Sequence, residues 1–176
     1  GLDQYCTKKG CIAPIVPDRP TPSPATMMVF KTELIGTGDG GKNFTYQFNY
    51  TTVNAKKFFI REGVKINNIQ ILLSDGVKNQ YTPAQGGEDG ALTTWEVPDG
   101  QYITQVEYRQ SNSVDSLTFI TNTGEKSPYF GGGGGMYGLM TFPTGFRLIG
   151  FYGKSDDMID QLGFILARTY YTKSIP

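Results

Sequence analysis

The chain contains no histidine. That removes the commonest general base and the commonest nitrogen ligand of zinc. Cysteine is scarce too: Cys6 and Cys11 are the whole supply, both near the start. A zinc site would need carboxylates to complete it. The two thiols therefore suggest either a small disulfide loop or pairing with cysteines of a preceding module, and both favour an oxidising compartment. Charged residues make up only 18%, and Lys plus Arg balances Asp plus Glu at 16 each. A duplex-binding surface needs a basic excess to displace counterions, so nucleic acid is not an expected partner. No apolar run approaches the roughly 18 residues of a membrane-spanning helix. Membrane insertion by a helix is not expected. Nor is there a signal peptide, but Gly1 in place of an initiator Met suggests a processed or excised fragment.

What the chain does have is aromatic residues, at 13%, and 23 glycines. That composition suits an all-β domain with many turns. Residues 12–26 hold five prolines, which remove backbone donors and prefer extended polyproline geometry. The expected organisation is an upstream remnant or disulfide loop over 1–11 and a Pro-rich linker over 12–27. One domain follows over 28–168, then a tail over 169–176. Residues 44–50 alternate aromatic with polar, the period-2 signature of a half-buried strand. Further strands are predicted over 29–35, 57–60, 66–73, 93–97, 102–108, 116–121, 147–152 and 161–167. Turn residues separate them.

Three markers recur in one order. Gly63, Gly100 and Gly145 each precede apolar residues at a spacing of three. Val114-Asp115-Ser116-Leu117-Thr118-Phe119 matches Ile159-Asp160-Gln161-Leu162-Gly163-Phe164 at Asp, Leu and Phe. Glycine clusters occur at residues 38–41, 86–90 and 131–135. Such repetition predicts a threefold arrangement of small antiparallel sheets around one core.

At these residues the chain resembles the jacalin-related lectins. The specific matches are residues 114–124, Tyr129-Phe130-Gly131, Phe142-Pro143, and residues 148–155 running into Ile159-Asp160-Gln161-Leu162-Gly163. The resemblance implies a β-prism of three four-stranded Greek-key sheets with pseudo-threefold symmetry. It also implies a monosaccharide site at one end of the prism. By position, that site joins a first loop, with Gly40 and Gly41, to a second loop of Asp156, Asp157, Met158 and Asp160. Glycines let backbone N–H groups approach a ligand, and a carboxylate accepts two hydrogen bonds from neighbouring hydroxyls. The implied roles are bidentate acceptor for Asp160 and backbone donors for Asp157 and Met158. The family's loop glycine is Asp156 here. If that position needs φ > 0, Asp tolerates it better than most residues, at some cost. Two extra acidic groups could also attract a cation or repel acidic sugars. No aromatic side chain stands beside Asp160 in the loop, which favours a mannose- or glucose-type ligand over galactose.

Other residues carry weaker expectations. Asp115, the repeat equivalent of Asp160, could form a second site with Gly87 of the middle glycine cluster. Tyr129 and Tyr137 flank the third cluster and could touch a ligand, while Trp95 is expected in the core. That cluster lacks the following Lys-Ser/Thr of a phosphate loop, and is expected to be a flexible hairpin loop. Asn43-Phe44-Thr45 and Asn49-Tyr50-Thr51 are N-glycosylation sequons, and a glycan on Asn43 would crowd the first loop. The expected function is a carbohydrate-binding module of a secreted or cell-surface protein, with glycans or glycoproteins as partners and possible upstream domains. No cofactor, no metal and no enzymatic activity are expected. The alternative is a protein–protein or structural prism that has lost sugar binding.

Overall fold

The computed structural model describes residues 6–7, 10–11, 29–47 and 53–169. Among them every regular element is a strand: β1 Cys6–Thr7, β2 Gly10–Cys11, β3 Val29–Lys31, β4 Lys42–Gln47, β5 Asn54–Glu62, β6 Ile66–Ser74, β7 Asn79–Tyr81, β8 Gln85–Gly86, β9 Ala91–Glu96, β10 Ile103–Gln110, β11 Val114–Thr121, β12 Phe130–Gly131, β13 Met136–Thr141, β14 Phe146–Ser155 and β15 Ile159–Arg168. The predicted Pro-rich linker, most of the C-terminal tail and the Asn49 sequon lie outside the described residues.

Three antiparallel sheets form the body, each with four strand positions. Their orders are β12-β11-β10-β13, β3-β15-β14-β4 and β7-β6-β5-β9, with β8 also pairing with β6. Strands β7 and β8 occupy one edge, interrupted at Thr82-Pro83-Ala84, where proline lacks the N–H a ladder needs. In every sheet a central hairpin is flanked on both sides by the two remaining strands, the Greek-key order. One sheet is assembled from both ends of the chain: β14 and β15 form its centre, and β3 and β4 form its edges. The fold is therefore a β-prism.

The second strand of each central hairpin supplies the core. Ile66, Val114 and Ile159 are fully buried, as are Ile69, Leu117 and Leu162, and then Ile71, Phe119 and Phe164. These are three layers of three side chains around the pseudo-threefold axis, each side chain contributing about 1.5–3 kcal/mol on burial. Phe119 stacks on Phe58 of β5 at 4.1 Å between centroids and meets Phe164 edge-on at 6.0 Å. Trp95 packs on Phe58 from the rim of this cluster, half-buried.

These layers correct the repeat alignment at one copy. Gly100 and Gly145 precede the first strand of their hairpins and have φ of 77° and 86°. Gly63 lies instead in the turn between β5 and β6 and is not in that conformation. A turn glycine followed by spaced apolar residues occurs on either side of a strand, so the pattern alone was degenerate. The copy that matches residues 114–119 and 159–164 is Ile66-Asn67-Asn68-Ile69-Gln70-Ile71. Strand β13 was not predicted either, because Met136, Tyr137 and Leu139 are exposed apolar residues behind a glycine run. Nor is that run a loose hairpin loop: Gly131, Gly132, Gly134 and Gly135 each lie against backbone or side-chain atoms of neighbouring segments.

Candidate functional site

Asp160 is the second residue of β15, directly after the Asp156–Met158 turn, which closes through Asp156 N donating to Met158 O at 3.0 Å. The loop between β3 and β4 folds over it. A Cβ on Gly40 would lie 3.6 Å from Asp160 Oδ1. A Cβ on Gly41 would lie 2.6 Å from Oδ2 and 2.8 Å from the Ser155 carbonyl. Gly41 also has φ of 83°, so position 41 excludes a side chain both by conformation and by space. The structure thus brings Gly40, Gly41 and Asp160 together, with Asp156, Asp157 and Met158 forming the adjoining turn.

The carboxylate is incompletely satisfied. Asp160 Oδ2 is buried and has no hydrogen-bond partner among the described residues. Nor do the amides of Gly40, Asp157 and Met158 donate to any described residue. Burial, then the charges of Asp156 and Asp157, push the Asp160 carboxyl above the usual aspartate range. An acceptor held in a glycine-lined hollow beside free N–H donors can bind a pair of adjacent hydroxyls. Asp156 is exposed and carries no backbone strain, since no described residue other than glycine has positive φ. Among the described residues no group of three or more acidic or cysteine side chains is arranged to hold a metal ion.

The hairpin between β10 and β11 forms a further wall that the sequence did not reveal. Gly36 N donates to Gln110 Oε1 at 2.9 Å, and Thr37 N donates to Ser111 O at 2.9 Å. A Cβ on Gly38 would lie 2.2 Å from Asn112 O. These residues sit some 75 positions from the loop they support, and only an alignment of the three hairpins could have flagged them.

The same arrangement recurs twice. Around Asp115, a Cβ on Gly134 would lie 3.2 Å from Oδ1 and one on Gly135 would lie 2.6 Å from Oδ2. Around Asn67, a Cβ on Gly90 would lie 3.0 Å from Oδ1. The expected pairing of Asp115 with Gly87 is thus corrected: Gly87 abuts the Asp157 carbonyl, 2.2 Å from where its Cβ would be. The error came from matching glycine clusters to hairpins in the wrong register around the axis. Tyr129 and Tyr137 direct their hydroxyls to Gly132 O and to Glu107 Oε2, onto their own sheet rather than toward Asp115. Asn43 is exposed on β4, two residues from Gly41.

Comparison with known proteins agrees with this geometry. The family model described as the Jacalin-like lectin domain matches residues 32–165. A putative zinc metalloproteinase of Schizosaccharomyces pombe is 27% identical over 112 residues, covering 62% of this chain and 17% of that protein. Myrosinase-binding protein 2 of Arabidopsis thaliana is 41% identical over 63 residues, covering 36% of this chain and 10% of that protein. The chain thus spans a small part of the curated relatives it matches. Among solved structures, Malaysian banana lectin superposes with a TM-score of 0.68 at 22% identity, over 80% of this chain and 99% of that one. A mannose-binding jacalin-related lectin from Ananas comosus gives 0.67 at 25% identity, over 80% and 98%. The mannose-binding lectin from Champedak gives 0.69 at 18% identity, over 79% and 96%. With the prism, its threefold core and the family model all covering the same residues, the chain belongs to the jacalin-like lectin domain family.

Proposed function

We propose that this domain binds a mannose- or glucose-type sugar at Asp160, without catalysing any reaction on it. The observation that carries the reading is the unpartnered Asp160 Oδ2, buried beside Gly41. A structural aspartate would be expected to bond the loop amides around it, because an unmet buried acceptor costs about 1–3 kcal/mol. Here both the acceptor and the nearby donors are left for a ligand. In this reading Asp160 accepts from two adjacent sugar hydroxyls, while the amides of Gly40, Asp157 and Met158 donate to sugar oxygens. Support for mannose comes from the similar mannose-binding lectins of Ananas comosus and Champedak. Met158 rather than an aromatic ends the turn before Asp160, so that turn offers no stacking platform of the kind that favours galactose.

Absence of catalysis follows from the same chemistry. The chain has no histidine, and Asp156 and Asp157 sit side by side on one turn rather than on opposite sides of a bond, as an acid–base pair would. The metalloproteinase relative matches over a small fraction of its length. It supports a binding module within a longer protein rather than protease chemistry in this domain. Secretion and a Cys6–Cys11 disulfide belong to the same reading: the β1–β2 ladder pairs those two residues directly across from each other, a separation compatible with a disulfide.

Calorimetric titration of the full chain with methyl α-mannoside and methyl α-galactoside, together with a glycan array, tests the reading. Mannoside binding by the native chain and its loss in Asp160→Ala are expected. Preference for galactoside, or undiminished binding by the Asp160→Ala variant, contradicts it.

A further inference from the structure

We infer that Lys65 is a built-in occupant of the second repeat's pocket, and that it makes this prism monovalent. This rests on the reading of the Asp160 site as the sugar site. Asp115 and Asp160 occupy equivalent positions in β11 and β15. Each has a glycine of positive φ whose absent Cβ would lie 2.6 Å from Oδ2, and each has that oxygen buried without a partner. By backbone geometry the Asp115 pocket is a second copy of the first. What differs is the side chain that enters it.

The three hairpins form a pinwheel. The turn of the β10–β11 hairpin leans on the glycine loop of the Asp160 pocket, through Asn112 against Gly38. The Asp157 turn leans on Gly87, beside the Asn67 pocket. The β5–β6 turn leans on the loop of the Asp115 pocket, through Val64 against Gly132. The residue just before each strand's first buried position therefore directly follows a contact with the neighbouring pocket's loop. Those residues are Ser113, Met158 and Lys65.

Only Lys65 bears a cation. Its ammonium reaches across the hairpin boundary to Asp115 Oδ1 at 3.1 Å, to Ser113 Oγ at 2.6 Å and to Ser111 Oγ at 3.0 Å. All three ammonium hydrogens have acceptors, and the Asp115 side chain is 5% exposed. A charge-assisted bond to a buried carboxylate is strong, and a tethered partner does not lose translational freedom on binding. A neutral hydroxyl pair from solution would have to displace it. No comparable side chain among the described residues enters the Asp160 pocket: its counterpart, Ser113, is short and is held by Lys65 itself. The third pocket carries Asn67, a neutral amide, where the other two carry a carboxylate. One of the three equivalent pockets is thus open and charged, one is charged but filled, and one lacks the charge.

The test is a two-dimensional NMR titration of the ¹⁵N-labelled full chain with methyl α-mannoside, paired with calorimetric stoichiometry. In the native chain the Gly40 and Gly41 amides are expected to shift, those of Gly134 and Gly135 to stay still, and the stoichiometry to be one. Lys65→Ser introduces the residue found at Ser113, its repeat counterpart. In that variant Gly134 and Gly135 are expected to shift as well, with stoichiometry two, falling back to one when Asp115→Ala is added. Lys65→Arg, which keeps a cation in place, is expected to stay at one. Shifts at Gly134 and Gly135 in the native chain overturn the inference, and so does a folded Lys65→Ser chain in which they do not move. Should Lys65→Ser fail to fold, the native titration alone still decides whether the Asp115 pocket is closed. Failure of the Asp160 reading looks different: Gly40 and Gly41 would stay still in the native chain, whatever happens at Gly134 and Gly135 in the variant.

Discussion

Gly41 and Asp160 come from opposite ends of the chain, and no side chain fits between them: a Cβ on Gly41 would stand 2.6 Å from Asp160 Oδ2. Strand β4 begins at the next residue and pairs with β14, which presses the glycine against the carboxylate from the edge of the sheet. Gly41→Ala is therefore expected to abolish mannoside binding by calorimetry. The left-handed φ of that residue adds a cost of about 1–2 kcal/mol, visible as a lower urea midpoint. Native-like affinity in a folded Gly41→Ala chain would show that the ligand sits elsewhere.

The wall provided by the neighbouring hairpin has a separable role. Gln110 touches no proposed ligand atom, yet its Oε1 holds Gly36 N at 2.9 Å. Gln110→Ala removes one hydrogen bond of about 1 kcal/mol and lets the first loop drift from Asp160. Mannoside affinity is expected to fall about fivefold, with a larger effect on dissociation than on association. Gln110→Glu, which keeps an acceptor oxygen, is expected to recover most of that loss. No change in either variant would remove Gln110 as a positioning residue.

Ligand binding should depend on pH through Asp160. Its carboxyl is raised in the folded chain by burial and by Asp156 and Asp157. An acid raised on folding disfavours the folded state when ionised, and that penalty disappears as pH falls through the folded value. Sugar binding runs the other way, since it requires the ionised acceptor. Affinity is therefore expected to drop on acidification at a higher pH than for an ordinary aspartate. Asp156→Asn and Asp157→Asn, each removing a nearby negative charge, should move that drop to lower pH. A midpoint that both substitutions leave in place would argue that another group controls binding.

The threefold core makes its own prediction. Phe119 is fully buried and touches Phe58, Phe130 and Phe164, so it links all three sheets at the axis. Phe119→Ala is expected to cost about 3–5 kcal/mol, measured by chemical denaturation. Tyr81, exposed on the edge strand β7, contacts Phe59 from outside the prism. Tyr81→Ala is expected to cost well under half as much.

Much of the prism was legible from periodicity and repetition. Alternating strands such as residues 44–47, glycine-bounded turns and the Val114/Ile159 match all reflect local rules: side chains alternate across a strand, and a buried strand repeats its apolar face. Even the failed alignment at Gly63 was a local ambiguity, since the correct match begins at Ile66-Asn67, three residues further on. The Asn67 substitution hid that copy, because the marker sought was an aspartate. Strand β13 was illegible for the opposite reason. It is an edge strand in which Met136, Tyr137 and Leu139 are exposed and only Met140 packs against the core, so burial leaves little pattern in it.

The candidate site divides along the same line. Sequence by itself determined that the chain is all-β, that it repeats three times, and that Asp160 and the first glycine loop deserve to be considered together, through the resemblance their motifs carry. Only the tertiary structure decided which glycines each acidic residue faces, because closure of the prism joins β3 and β4 to β14 and β15 and rotates each hairpin against a loop distant in sequence. It also decided that Asp115 meets Lys65 while Asp160 meets no cation among the described residues. Two aspartates with nearly the same local sequence differ because a pocket's occupancy depends on the neighbouring hairpin, and contacts across that boundary leave no periodic trace in the chain.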